Sequence, residues 1–128
     1  MQVNGSVNLT GTWVGNTTVS GTFGGTGTLT GNLTFSAGST FKAFAADENG
    51  LSVSGSITYP ASGTVTVDVS ALELKDTDGW VTLMTGSTDL DAGKFALSSA
   101  DADKYKLKVD GSTLKVRTKV KKFVITIR

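Results

Sequence analysis

The feature that most constrains this chain is a set of apolar–hydroxyl–glycine triplets in a stretch that carries no charge. Leu9–Thr10–Gly11, Val19–Ser20–Gly21 and Leu29–Thr30–Gly31 recur at an interval of ten residues, and Val53–Ser54–Gly55 repeats the pattern later. An apolar residue facing inward beside an outward hydroxyl is the period-two signature of a half-buried strand. The glycine then gives the backbone its freedom to turn a corner. Strands this short cannot bury enough surface singly. They predict stacked neighbours, and hence a repeat architecture. Leu9 to Leu29 would span one coil of a β-helix; the same spacing suits the hairpin strands of a β-sandwich, which is the alternative.

Composition agrees with an all-β class and removes much chemistry. Of 128 residues, 16 are Gly, 20 Thr and 13 Ser, with one Pro (Pro60). The length suits one domain, and Thr with the β-branched and aromatic residues favours strands. Cys and His are absent, which removes disulfides, thiolate nucleophiles, imidazole bases and zinc sites built on those ligands. No apolar run approaches the ~18 residues that span a bilayer, so no membrane insertion is expected. The start of the chain lacks the basic and apolar regions of a signal peptide, which leaves a cytosolic protein or a fragment of a longer precursor, the fragment being the favoured reading.

Charge divides the chain into three consecutive regions. Residues 1–41 carry none, residues 42–103 carry a balance of −7, and residues 104–128 carry +8. Across the acidic region, strands are expected at Leu51–Val53, Ile57–Tyr59, Val65–Val69, Leu72–Leu74 and Trp80–Met84, the last buried on both faces with Trp80 in the core. A helical turn fits only 98–103. In the basic region Lys104 to Val109 and Thr113 to Arg117 alternate, with Asp110–Gly111 as a hairpin turn or a longer loop that includes Ser112, and a last strand runs from Val120 to Ile127. The expected core is Leu29, Leu33, Phe35, Leu51, Val53, Ile57, Val65, Val67, Val69, Leu72, Leu74, Val81, Leu83, Leu107, Val109, Leu114 and Val116.

Residues 27–117 resemble the C-terminal part of bacterial autotransporter-associated β-strand repeat passengers. The resemblance rests on Gly27–Thr28–Leu29–Thr30–Gly31–Asn32–Leu33–Thr34–Phe35, Leu51–Ser52–Val53–Ser54–Gly55, Trp80–Val81–Thr82–Leu83–Met84–Thr85–Gly86 and Tyr105–Lys106–Leu107–Lys108–Val109–Asp110–Gly111. It implies a short right-handed parallel β-helix, or solenoid, on a secreted or cell-surface bacterial protein, acting chiefly as stalk or scaffold. The closing antiparallel hairpin comes from the alternation at 104–117.

Candidate chemistry is sparse. Asp76–Asp78, Asp89–Asp91 and Asp101–Asp103 have the i, i+2 spacing that would put paired carboxyls on one strand face for glycoside cleavage. Each pair lies by Gly or in a turn, where Asp serves local backbone hydrogen bonding, so no catalytic residue and no enzyme is expected. Asp76 and Asp78 are a weak calcium candidate, since an EF-hand loop would need a Glu where Ser87 stands; otherwise no cofactor is expected. Lys104, Lys106 and Lys108 with Lys115 and Arg117 make a cationic face. Tyr105 points away from it, so a solvated edge guarded against aggregation is favoured over nucleic-acid binding.

Structural function is therefore the expected one. Uncharged strands at the start, and the strand containing Phe123, Val124, Ile125 and Ile127 at the end, would pair with another copy or with the rest of a longer passenger. Trp13, in a polar setting, is the candidate surface aromatic. The alternative is a carbohydrate-binding or adhesin module that takes a glycan through Trp13.

Overall fold

A computed structural model describes residues 1–45, 50–75, 79–99 and 101–119 of the chain. It is all-β, and its first twelve strands follow one another in groups of three. The first group is β1 (Gln2–Val3), β2 (Ser6–Leu9) and β3 (Thr12–Val14); the second is β4 (Thr17–Val19), β5 (Thr22–Gly25) and β6 (Thr28–Thr30). The third is β7 (Leu33–Phe35), β8 (Thr40–Lys42) and β9 (Leu51–Val53), and the fourth is β10 (Ile57–Thr58), β11 (Val65–Asp68) and β12 (Val81–Thr85). Each of β1 to β9 pairs in parallel with the strand three places on. The pairing gives one sheet of order β1-β4-β7-β10, a second of β2-β5-β8-β11 and a third that begins β3-β6-β9-β12. β13 (Phe95–Leu97) continues the second sheet in parallel, whereas β14 (Tyr105–Asp110) and β15 (Thr113–Thr118) close the third as an antiparallel hairpin.

Register shows what repeats. Gln2 lies opposite Thr18, Ser6 opposite Thr22 and Thr12 opposite Thr28, a step of 16 residues in each sheet. The two first turns of chain match at that step: Val3 with Val19, Gly5 with Gly21, Gly11 with Gly27, Gly15 with Gly31, Asn16 with Asn32. The ten-residue triplets are not the repeat, because Leu9, Val19 and Leu29 fall on β2, β4 and β6, in three different sheets. Later turns lengthen at their connections; Leu33 pairs with Ile57 and Ser52 with Thr85. Those longer connections hold Glu73, Asp89 and Asp91.

Inward-facing residues stack in the same register. Val3, Val19 and Phe35 form one column, and Phe23, Phe41 and Val67 a second; all six are at most 1% exposed. The Phe35 and Phe41 rings meet edge to face at 6.5 Å between centroids. Each buried Val, Leu or Phe contributes roughly 1.5–3 kcal/mol. Eleven of the expected core positions are buried, and Ile57, Leu72, Leu74, Val81, Leu107 and Val109 pack on that core half-buried. Val3, Val19, Phe23, Phe41, Met84, Leu90 and Phe95 join it.

Three local expectations need correction. Leu72–Glu73–Leu74 is not a strand: a 3-10 turn over Ser70–Leu72 ends at Glu73, whose φ of 50° breaks extension. The described residues of 98–103 form hydrogen-bonded turns, and a 3-10 element lies at Ala92–Lys94 instead. The hairpin loop is Gly111–Ser112 rather than Asp110–Gly111, since Asp110 still pairs with Thr113; Gly111 has φ +59°, the positive value that such a two-residue turn requires at its first position.

Candidate functional site

Two surfaces and one cavity concentrate what the chain offers chemically. The first surface is the end formed by β1, β2 and β3. Each is an edge strand of its own sheet, so one side of all three sheets presents unpaired backbone amides and carbonyls together. Val7 and Leu9 are half-buried there, while Trp13 is 40% and Val14 74% exposed. Trp13 sits in register with Leu29, which is fully buried one turn of chain deeper. The position that is core inside the stack is thus bare at its end.

The second surface is the outer face of β12, β15 and β14. Val81, Val116 and Leu107 form the inward row across these strands, so Arg117 and Lys106 pair on the outer side, with Lys115 and Lys108 one row on. Trp80, immediately before β12, lies beneath this cluster. Lys108 Nζ is 5.2 Å, the Arg117 guanidinium carbon 5.6 Å and Lys106 Nζ 5.7 Å from its ring centre. Trp80 is only half-buried, which corrects its expected place in the core. A register shift between Thr82 and Met84 is the physical reason that Leu83 and Met84 are both buried next to it. The cationic face was legible in the alternation, but Trp80 beneath it was not, because alternation places lysines on a face without saying which residue of another strand lies opposite.

The cavity, about 320 Å³, is lined by Thr40, Thr66, Asp68, Ser70, Ser98 and Asp101. Burial alone would push the Asp68 carboxyl up. The Ser70 hydroxyl at 2.7 Å and amide at 2.9 Å, with the nearby positive charge of Lys42, outweigh that and hold it below its ordinary value. Asp101 is buried and accepts the Val69 amide at 3.3 Å, tying the turn at Asp101 to the end of β11. Asp103 is exposed, so the Asp101–Asp103 pair does not share a face. Asp91 accepts the Gly93 amide at 3.0 Å, a local turn bond.

Trp13 is at the surface, on the first of these areas. Asp76 and Asp78, and Phe123, Val124, Ile125 and Ile127, lie outside the described residues. Tyr105 packs on the core, on the side opposite the lysines. Among the described residues no group of three or more acidic side chains is placed to hold a metal ion, and no helix is long and apolar enough to cross a membrane. No family model, curated protein or solved structure matches the chain.

Proposed function

We propose that this chain is a non-catalytic structural module of a secreted or cell-surface protein, a parallel β-helix that acts as stalk, scaffold or assembly unit. Parallel pairing of every third strand supports the β-helix reading, and the general hand of parallel crossovers favours a right-handed coil. The passenger-like strings of the sequence fit the same architecture. Stacking is the working mechanism: the β1–β3 end receives a further coil, supplied in the isolated chain by a second copy.

The observation that carries this is the contrast between the two ends of the stack. At the β1–β3 end three adjacent sheet edges carry no charged side chain and leave Trp13 and Val14 uncovered. At the other end the third sheet is closed by a hairpin that bears Lys106, Lys108, Lys115 and Arg117 on its outer face. Charge on an edge strand opposes pairing, and its absence permits pairing.

Molar mass by light scattering across a concentration series tests this, with a Thr12→Lys/Val14→Lys variant alongside. Both positions are exposed, so the variant leaves the core intact. Mass rising above 13.2 kDa with concentration, and not doing so in the variant, is expected. A monomer at every concentration would remove the assembly reading, and so would association that the two lysines leave unchanged.

A further inference from the structure

We propose that the outer face of the six-stranded sheet binds an acidic polysaccharide, with the cations around Trp80 receiving its carboxylate or sulfate groups. Cross-strand pairs of like charge are destabilising, yet Lys106 stands opposite Arg117 and Lys108 opposite Lys115. Within this group the ion pair is Lys115 to Asp110, at 3.6 Å; Lys106, Lys108 and Arg117 have none among the described residues. The Arg117 Nε is buried without a hydrogen-bond partner. Four neighbouring cations with so little internal compensation make a site for anionic groups.

Trp80 makes that site ready in advance. An indole attracts cations to its ring, and three of them are gathered within 5.2–5.7 Å of it. Holding long side chains in place beforehand reduces the entropy lost when a ligand arrives. A guanidinium also presents its donors in a planar fork suited to a carboxylate or sulfate.

Geometry selects the class of partner. Lys106 and Lys108 reach from β14 across β15 to Trp80, so their charge extends over the face of the sheet. That suits a ligand lying flat on the face more than a strand added to the edge. The same face continues as a row of hydroxyls, Thr113, Thr85, Ser52, Thr28 and Thr12, one on each strand from β15 to β3. Strands are ~4.8 Å apart, so a polar strip of roughly 20 Å leads from the cations. Charge beside a hydroxyl strip fits a sugar polymer with acidic groups. Single-stranded nucleic acid relies on aromatic rings open to base stacking, and Trp80 is engaged by cations.

The test is titration of the whole chain with oligogalacturonate, dextran sulfate, neutral dextran and an oligothymidylate of matched charge, at low and moderate salt. Calorimetry reads affinity, and a Trp13→Phe background leaves Trp80 as the sole indole for fluorescence. Both acidic glycans are expected to bind and to shift Trp80 emission, with affinity falling as salt rises; neutral dextran is not. Lys106→Gln/Lys108→Gln should weaken binding roughly tenfold or more. Lys104→Gln/Lys119→Gln removes the same charge from exposed positions outside the cluster and should change it less than about twofold. Equal losses in the two variants would reduce the effect to net charge and overturn the site. Absence of binding, equal binding of neutral dextran, or tighter binding of the oligothymidylate would overturn it as well. Assembly at the β1–β3 end is read separately by mass, so either idea can fail alone.

Discussion

A Cβ added to Gly31 would stand 2.2 Å from the carbonyl oxygen of Gly15, one turn of chain before it. Gly31 also has φ +147°, a region that side chains disfavour. Two independent faults therefore meet in Gly31→Ala: a collision with backbone that cannot swing away, and a strained φ. Gly38 supplies the comparison. Its φ is +79° but nothing lies within 4 Å of an added Cβ, so Gly38→Ala should cost only ~1–2 kcal/mol. Gly31→Ala should cost about 3 kcal/mol or more, measured as a shift in urea midpoint at constant slope. Equal costs would mean that the corners do not pack as closely as their carbonyl contacts imply.

The corner beside Gly31 has a polar counterpart to this contact. The Asn32 amide donates to Asn16 Oδ1 at 3.1 Å, and Asn32 Oδ1 in turn accepts the Ser56 amide at 2.9 Å and its hydroxyl at 3.2 Å. Two stacked side chains, Asn16 and Asn32, thus fasten three successive corners. Asn32→Ala should destabilise by about 1–2 kcal/mol, and amide exchange should speed up at Ser56 first. A loss confined to the noise of the melt would show that water replaces the ladder at no cost.

What the sequence disclosed depended on whether the signal was local. The hairpin of Lys104 to Arg117 was legible because its alternation and its turn residues lie in one continuous stretch, with a single-residue error in the loop. Inward positions such as Leu29, Phe35 and Val67 were legible for the same reason. The step of 16 was not, because its marks are Gly5, Gly11, Gly15 and Asn16, whose role is contact between corners instead of burial. Trp80 was misplaced since its neighbours Val81 and Leu83 read as core; its partners come from strands paired through a register shift that no local pattern reveals.

Thr17 is 1% exposed, and its hydroxyl has no hydrogen-bond partner. A buried hydroxyl left unsatisfied opposes folding, while valine has nearly the same shape and suits a strand. Thr17→Val should stabilise the fold by about 1 kcal/mol, seen as a higher urea midpoint with an unchanged slope. A lower midpoint would show that the hydroxyl finds a partner in solution, and Thr17→Ala, which also leaves a void, would then separate polarity from packing.

Asp68 links the cavity to pH. Burial acts to raise its carboxyl, but the two Ser70 hydrogen bonds, and then Lys42, which faces it across β8 and β11, bring it below the ordinary value of 3.8. A carboxyl lowered in the folded chain binds protons more weakly there than in the unfolded chain. Its stabilising contribution is therefore complete above the ordinary value and disappears as pH falls through the lowered one. Ser70→Ala removes the hydroxyl bond of 2.7 Å and leaves the backbone amide in place. The Asp68 carboxyl should then titrate at higher pH by carbon-detected NMR. Stability at neutral pH should fall by less than ~1 kcal/mol, because solvent screens a partly exposed group, and the gap to the unmodified chain should close once both carboxyls are protonated. A gap that persists in acid would assign the role of Ser70 to packing of the 3-10 turn instead of to the charge of Asp68.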